Sequence, residues 1–352
     1  MFEIEMLPAR EGDCLWLRYG TNGNTRQILV DGGRAATAKH LKARLAALPA
    51  GKRTFELLII THIDRDHIEG VLALLEDKKL PVTFKDVWFN GFDHLHQAEL
   101  ETFGAIQGER LSKALVERKL PWNRAWKMKA VCLHTSGLRR VKLVGGLTLT
   151  LLSPDAGKLK SLIPVWKEEC KKAGLLAGSG GKPSDVAGLE HFGALDIEKL
   201  AAAKFKEDPG EPNGSSIAVL AEYAGKRVLL TGDAHTDRLK ESLRLLNGKA
   251  RRLRLDALKV SHHGSEHNVS RDLLDLLACP RYLVSTNGSY FKHPTPAAIA
   301  RLIKFGGQGA TIHFNYRSAY TEVWNNQAWQ AKYGYRTEYP DKKNNGTLVV
   351  AL

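Results

Sequence analysis

The sequence lacks features that define membrane and secreted proteins. Its 352 residues contain no run of about 18 apolar residues, the length that a membrane-spanning helix requires. The N-terminus carries Glu3 and Glu5, where a secretory signal has basic residues followed by an apolar stretch. We therefore expect a soluble, cytoplasmic protein without a membrane partner.

Cysteine is also scarce. The sequence has four cysteines and no C-x-x-C pair. This spacing argues against a thiolate zinc site and against a disulfide framework, and it predicts buried, reduced thiols. The residues concerned are Cys14, Cys132, Cys170 and Cys279.

The remaining composition is that of a globular protein. Hydrophobic residues make up 43% of the chain and charged residues 26%, which argues against disorder and allows a sizeable core. The length would suit two domains, but no linker separates two complete cores. Residues 174–212 are rich in Gly, Ser, Pro and Lys. We predict one domain, 1–352, in which residues 90–212 form an insertion or lid, and we leave the oligomeric state open.

The charge is unbalanced toward the basic side. Lys and Arg number 52 against 38 acidic residues, for a net charge of +14. The excess is concentrated in residues 118–142, which contain no acidic residue, and in residues 238–254, which contain one. Such segments are typical of a surface that binds nucleic acid or another phosphodiester, although basic runs are often simply solvated surfaces.

Strands alternate with amphipathic helices along the chain, which predicts an α/β fold. We predict strands at residues 2–7, 14–19, 26–30, 55–60, 82–89, 141–144, 147–152, 216–223, 226–231, 257–260 and 282–285. We predict helices after residue 67 and at residues 97–118, 197–205, 237–246, 273–277 and 295–304.

The motif THIDRDH at residues 61–67 follows an apolar strand directly. It places His62 and Asp64 where they can bind one ion, and Asp66 and His67 where they can bind another. Imidazole and carboxylate without thiolate suit zinc, manganese or iron. Each residue alone has an ordinary alternative, as a surface histidine or a helix cap.

Three more strands end in polar residues of the same kind. Asp31 follows one apolar strand and can orient a ligand histidine. Asp233 follows another and can bridge two ions. His262 and His263 follow a third, and because neighbouring strand residues face opposite ways, we expect one to bind metal and the other to contact substrate.

The blocks VDGG, THIDRDH, NGSS, LTGD and SHHGS, in this order, resemble metallo-β-lactamase fold hydrolases. They are most similar to the metallohydrolase domain of the ComEC-type competence family. The matching blocks extend from Glu11 to Pro294. The resemblance implies a four-layer αββα sandwich with one or two divalent ions, zinc or manganese, at the edge between its two sheets.

The resemblance also implies roles for individual residues. It implies that His293 reaches the substrate. It also implies that Asp31, Asn213 and Ser216 contact and orient the metal ligands. Two departures from the broad family, Asp64 and the NGSS block where histidines are expected, favour manganese or a weakly held first ion over a tight zinc pair. The implied metal ligands are His62, Asp64, Asp66, His67, Asp233 and either His263 or His262.

The reaction expected from this set is hydrolysis by metal-activated water. Asp66 or Asp233 would orient the water and accept its proton, and His262 and His293 would neutralise charge or protonate the leaving group. A phosphodiesterase or nuclease is our leading hypothesis. One alternative is a hydrolase of a small ester, lactone or phosphoester, and the other is a non-catalytic metal-binding sensor or partner-binding protein.

We expect the substrate to be contacted by Arg251, Arg252, Arg254 and His94. Trp122 and Trp126 would either stack on bases or be buried.

Overall fold

Two large β-sheets carry the fold in the computed structural model, which describes residues 1–21, 23–77, 82–95, 106–134, 137–172, 195–248 and 251–352. The first sheet has the strand order β18-β1-β2-β3-β5-β7. Strands β18, β1, β2 and β3 are antiparallel neighbours, and β3, β5 and β7 run parallel. Its strands are β1 (Phe2–Met6), β2 (Leu15–Thr21), β3 (Asn24–Val30), β5 (Leu57–Ile59), β7 (Val87–Trp88) and β18 (Leu348–Ala351).

The second sheet has eight strands in the order β17-β16-β15-β13-β11-β10-β9-β8. Strands β11, β13, β15, β16 and β17 are parallel, and the four from β8 to β11 are antiparallel. Its strands are β8 (Arg140–Lys142), β9 (Thr148–Ser153), β10 (Ala218–Tyr223), β11 (Lys226–Leu230), β13 (Ala257–Lys259), β15 (Arg281–Val284), β16 (Thr311–Phe314) and β17 (Arg336–Glu338). Two short pairs join β4 (Thr54–Phe55) to β6 (Thr83–Phe84) and β12 (Leu253–Arg254) to β14 (Leu277–Ala278).

Helices cover the outer faces of both sheets. None of those in the described ranges is long and apolar enough to cross a membrane. The helices are α1 (Ala38–Ala46), α2 (Arg65–Glu76), α3 (Phe92–Leu95), α4 (Ile106–Glu117), α5 (Ala156–Lys172), α6 (Ile197–Ala202), α7 (Glu211–Gly214), α8 (Thr236–Asn247), α9 (Arg271–Leu274), α10 (Pro296–Phe305), α11 (Ala319–Glu322) and α12 (Gln327–Tyr333).

Three apolar clusters define the layers. One joins the facing sides of the sheets, with Val30 of β3 and Val219 of β10 among its buried members. Alternate residues of the same strands face outward: Leu29 packs with the helix residue Val71 in a second cluster, and Leu220 packs with Ile299 in a third. The four-layer αββα sandwich predicted from the sequence is confirmed.

Two predicted strands are interrupted in the structure. The prediction at residues 55–60 is divided between β4 and β5, and that at residues 82–89 between β6 and β7. Glu56 lies at the first break, where its buried carboxylate binds Arg26 at 2.6 Å and Lys85 at 2.8 Å. These ion pairs lie where the short pair β4–β6 adjoins the main sheet.

The range 90–212 contains part of the sandwich itself. Strands β8 and β9 lie in it and extend the edge of the eight-stranded sheet. Leu149 and Leu151 of β9 pack in the cluster between the sheets. Residues 96–105 and 173–194 of this range lie outside the described residues. The helix predicted at residues 97–118 is observed over its described part, as α4 (Ile106–Glu117).

Candidate metal centre

The predicted ligands lie where parallel strands of the two facing sheets end. Asp31 follows β3, His62 and the start of α2 follow β5, Asp233 follows β11, and His263 follows β13. Strands β3 and β5 are adjacent in one sheet and β11 and β13 in the other. Their carboxyl ends therefore bring side chains together from residues far apart in sequence.

Four of these side chains have ligand atoms facing one another. His67 Nε2 lies 3.2 Å from His263 Nε2 and 3.3 Å from Asp233 Oδ2. His263 Nε2 lies 3.5 Å from Asp233 Oδ2 and 3.4 Å from Asp66 Oδ2, and the separation from His67 Nε2 to Asp66 Oδ2 is 3.9 Å. Ligand atoms about 2.0–2.1 Å from a tetrahedral zinc ion are about 3.3 Å apart, so the spacing fits one divalent ion.

A second, looser set of donors adjoins the first. His62 Nε2 lies 3.5 Å from Asp64 Oδ2 and 3.8 Å from Asp233 Oδ2. Asp64 is the N-cap residue that precedes helix α2, but its side chain makes no capping hydrogen bond, and the side chain is 40% exposed. The carboxylate of Asp233 thus stands between two donor sets, as a bridging ligand would.

Unsatisfied polar atoms within the cluster are consistent with a bound cation. His62 Nε2 and Asp233 Oδ1 are buried and have no hydrogen-bond partner. Buried polar atoms usually have partners in folded proteins, and a metal ion held by His62 and Asp64 would satisfy His62 Nε2. The donors are nitrogen and oxygen, so the residues fit zinc or manganese.

Hydrogen bonds hold each ligand imidazole with Nε2 toward the cluster. His67 Nδ1 lies 2.8 Å from Asp31 Oδ2, and Asp31 also accepts hydrogen bonds from the backbone N–H and hydroxyl of Thr61. His263 Nδ1 lies 2.9 Å from the carbonyl of Ser285. When Nδ1 donates to these acceptors, Nε2 carries the lone pair that binds metal. Asp31 thus lies behind the His67 imidazole, on the side away from the cluster.

Ser216 plays a comparable part for the third imidazole. Its hydroxyl lies 3.1 Å from His62 Nδ1 and accepts a hydrogen bond from the Asp233 N–H. The NGSS block therefore adjoins the cluster without placing a nitrogen ligand there. Asn213 does not contact a ligand imidazole of this cluster directly. Its side-chain amide donates to Asp208 at 2.8 Å, and Asp208 in turn contacts His262.

The buried carboxylates are held in their charged form. Burial by itself raises the pKa of Asp66, but the charges of His67 and His263 and a hydrogen bond from His263 outweigh it, so that the pKa lies below its usual range. The same histidines, with His262, lower the pKa of Asp233 against the effect of burial. Both groups are available as anionic ligands at neutral pH.

The loop between β1 and β2 packs directly on the cluster. A Cβ at Gly12 would lie 1.8 Å from the carbonyl oxygen of Asp66, so only glycine allows this approach. The Asp13 N–H donates to that same carbonyl, and the Asp13 carboxylate pairs with Lys259. Both side chains are buried. Sequence reasoning missed Lys259, although a lysine in the apolar strand at residues 257–260 was a signal of a buried partner.

The structure distinguishes the two adjacent histidines, though not through strand alternation. Both lie in the turn Ser261–Gly264 with left-handed backbone, φ 48° for His262 and 53° for His263. His263 enters the cluster. His262 Nε2 lies 3.9 Å from Asp233 Oδ2, and its Nδ1 is 3.1 Å from Asp208 Oδ2. Asp208 was not predicted from the sequence.

His293 lies beside His262, with ring centroids 5.1 Å apart. Burial and the charges of His262 and His263 lower the pKa of His293 to about 3. It is therefore an uncharged ring at the border of the cluster.

The structure does not bring the predicted substrate arginines to the cluster. Arg252 pairs with Asp275, while Arg254 lies in β12, before β13. Both line a cavity of about 850 Å³ beside Lys226, the first residue of β11. The metal ligands follow the carboxyl ends of β11 and β13, whereas the cavity lies at the amino ends of these strands. The cavity and the cluster are therefore at opposite ends of the strands. Arg251, their neighbour, is exposed in the same segment.

The other predicted substrate contacts also have different surroundings. His94 packs on Trp122, with ring centroids 4.5 Å apart. The Trp122 indole donates to the carbonyl of Phe89, and Trp126 is buried between the sheets. Of the two interpretations of the tryptophans, the structure supports packing.

Comparisons with known proteins give fold-level likenesses only. No protein-family model and no curated protein matches the chain. It is similar to the solved structures of a CmlA beta-hydroxylase mutant, at 12% identity and a TM-score of 0.45, and of Zn(2+)-bound PqqB from Methylobacterium extorquens, at 13% and 0.43. The alignment covers all of this chain in both cases, 54% of the hydroxylase and 100% of PqqB.

A third similar structure is the metallo-beta-lactamase fold protein YhfI from Bacillus subtilis. It is 10% identical over 99% of each chain, with a TM-score of 0.41. The αββα assignment rests on the chain's own sheets and apolar clusters.

Proposed function

We propose that this chain is a metal-dependent hydrolase of phosphodiesters, related in its site to the ComEC-type metallohydrolase domain. The observation that carries the proposal is the cluster of His67, His263, Asp66 and Asp233, in which the two imidazole Nε2 atoms lie 3.2 Å apart and each lies 3.3–3.9 Å from both carboxylates. The adjoining pair of His62 and Asp64 offers a second position.

A divalent ion held by these residues supplies Lewis-acid chemistry, because it lowers the pKa of bound water toward about 7 and polarises a phosphoryl oxygen. The chain's own groups do the remaining work. Asp31 and Ser285 fix the imidazoles of His67 and His263. Asp64, the most exposed carboxylate of the set, faces His62 Nε2 at 3.5 Å and is accessible from solvent.

His262 is the best candidate for the general acid. Burial disfavours its charged form, but Asp233 and Asp208 outweigh this and raise the pKa of His262 above its usual value. The ring is 20% exposed, so it can reach a substrate oxygen. His293, whose pKa is low, is more suited to accept a hydrogen bond than to donate a proton.

The choice of a phosphodiester over a carboxylic ester is supported by two features. The motif order resembles a family that handles DNA, and the net charge of +14 favours association with polyanions. Arg252 and Arg254 do not support this choice, because they line a cavity at the end of β11 opposite to the metal ligands.

Hydrolysis assays test the proposal. The native chain and Asp66→Asn, which keeps the shape of the side chain but removes its charge, are compared on bis(p-nitrophenyl) phosphate, on single-stranded DNA and on p-nitrophenyl acetate, with manganese or zinc. We expect metal-dependent cleavage of the diesters that falls at least 100-fold in the variant. Ester cleavage alone would support the small-ester alternative, and a chain that binds metal without turnover would support the sensor alternative.

A further inference from the structure

Two adjacent aromatic side chains are exposed close to the candidate metal centre. Within the described ranges, the exposed large hydrophobic residues include Tyr290, at 50% exposure, and Phe291, at 44%, and these are the aromatic ones among them. Their ring centroids are 4.6 Å apart, with an angle of 83° between the planes. Exposed neighbouring aromatic rings leave a large apolar surface in water, which is often a binding site.

The loop that carries these rings is held at both ends. The Asn287 N–H donates to the carbonyl of Arg10, and the Thr295 N–H donates to the carbonyl of Gly264. Within the loop, the Lys292 N–H donates to the carbonyl of Gly288. The rings therefore stand on a fixed backbone rather than on a free loop.

Tyr290 has a further support from the opposite side. The Arg34 guanidinium lies 5.3 Å from the centre of its ring, and Arg34 Nε binds Glu11 at 2.6 Å. A cation over a phenol ring is a favourable contact. Glu11 belongs to the loop that packs on the cluster, so Arg34 links Tyr290 to that loop.

A row of rings connects the exposed pair to the candidate metal centre. Phe291 stacks on His293, with centroids 6.0 Å apart and planes at 26°. His293 packs on His262, whose Nε2 lies 3.9 Å from the Asp233 carboxylate. Phe291 is therefore linked to the Asp233 carboxylate through two imidazole rings.

We propose that Tyr290 and Phe291 form a subsite that stacks a base of single-stranded nucleic acid, so that a neighbouring phosphodiester reaches the metal cluster. The inference rests on the proposed function for its substrate class. Aromatic side chains bind bases of any sequence through their ring faces, and a basic protein holds the backbone. The net charge of +14 favours this polyanion over a second copy of the chain, which carries the same charge.

Equilibrium binding tests the subsite without requiring turnover. The probes are a fluorescent ten-thymidine oligonucleotide and an abasic phosphodiester of the same length, measured by anisotropy in EDTA so that neither is cleaved. For Phe291→Ala and Tyr290→Ala we expect roughly tenfold or more weaker binding of the thymidine probe, the effect of losing one stacked base. Binding of the abasic probe should not change. Phe291→Trp should restore the affinity, whereas Phe291→Leu, which keeps apolar area but no aromatic ring, should not.

Several results would overturn the subsite. These are an equal loss of affinity for both probes, full affinity in Phe291→Leu, or no binding of either probe to the native chain. Dissociation of a native dimer in Phe291→Ala, seen by sedimentation, would assign the rings to a contact between copies. If binding behaves as expected but the native chain cleaves no diester, the proposed hydrolysis fails and the subsite stands.

Discussion

His67 Nε2 and His263 Nε2 lie 3.2 Å apart, although the residues are separated by 196 positions in the chain. Both rings are anchored through Nδ1, on Asp31 and on the Ser285 carbonyl. Two imidazole lone pairs that face each other at this distance repel unless a proton or a metal ion lies between them. This relationship is the most direct structural argument for a cation site.

Removing these imidazoles should remove the metal. We expect His67→Ala and His263→Ala each to lower the divalent metal bound per chain to less than half of the native value, measured by ICP-MS after dialysis. His94→Ala is the matched control, since this histidine packs on Trp122, and it should retain native metal content. Native metal content in His67→Ala would refute the assignment of this cluster.

Asp31 should affect metal binding through His67. Asp31→Asn keeps the left-handed backbone at φ 58°, which asparagine tolerates, but it replaces a charged acceptor of the imidazole N–H. We expect metal affinity to fall about 10- to 100-fold, measured by competition with a chelator. Unchanged affinity together with an unchanged melting temperature would show that this bond does not orient the ligand.

Asp64 should separate metal binding from stability. Its side chain is 40% exposed and caps nothing, so Asp64→Ala should change the free energy of unfolding by at most about 0.5 kcal/mol. The same variant should lose the ion bound near His62, which a titration with manganese would reveal as a lower stoichiometry. A second comparison, Asp64→His, should bind zinc more tightly than the native chain, because imidazole suits zinc better than a carboxylate does.

The buried pair of Asp13 and Lys259 should be important for stability. Lys259→Met leaves the Asp13 carboxylate buried without its cation, so we expect a loss of about 3–5 kcal/mol in denaturant unfolding. The double variant Asp13→Leu with Lys259→Met should recover part of this, since no unpaired charge remains. Additive losses in the double variant would mean that the two groups do not interact.

The same pair predicts a dependence on pH. Burial alone would raise the pKa of Asp13, but Lys259 and His263 lower it to about 2 from 3.8. A carboxylate with a lowered pKa stabilises the fold above its unfolded pKa, and the contribution is lost as the pH falls through the folded pKa. We therefore expect the pair's stabilisation to be complete above pH about 4 and to be lost toward pH 2 in the native chain but not in Lys259→Met, as measured by urea unfolding.

The arginines at the far edge of the sheet should not affect the chemistry. The double variant Arg252→Ala with Arg254→Ala should keep kcat/KM for bis(p-nitrophenyl) phosphate within about twofold of native, because surface substitutions away from a site have small effects. A tenfold fall would mean that the substrate extends to the cavity beside Lys226.

The sequence by itself determined the architecture and most of the donor set. Continuous apolar strands followed by Asp31, His62 and Asp233 are local patterns, and the carboxyl ends of neighbouring parallel strands lie on the same side of a sheet. For the same reason Phe55 and Leu57 were correctly assigned to strands, although the break at Glu56 was not visible before its ion pairs with Arg26 and Lys85 were known.

Only the tertiary structure decided which histidine faces the cluster and what lies beside it. His263 enters the cluster because two consecutive left-handed residues turn the chain, a conformation that strand alternation does not describe. Asp208 and the Tyr290–Phe291 pair are neighbours of the site only through contacts between distant segments, and the pairing of Lys259 with Asp13 also joins distant segments. The position of Arg254 was also decided by the tertiary structure. Arg254 is close in sequence to the His262–His263 turn, but strand β13 lies between them and separates them in space.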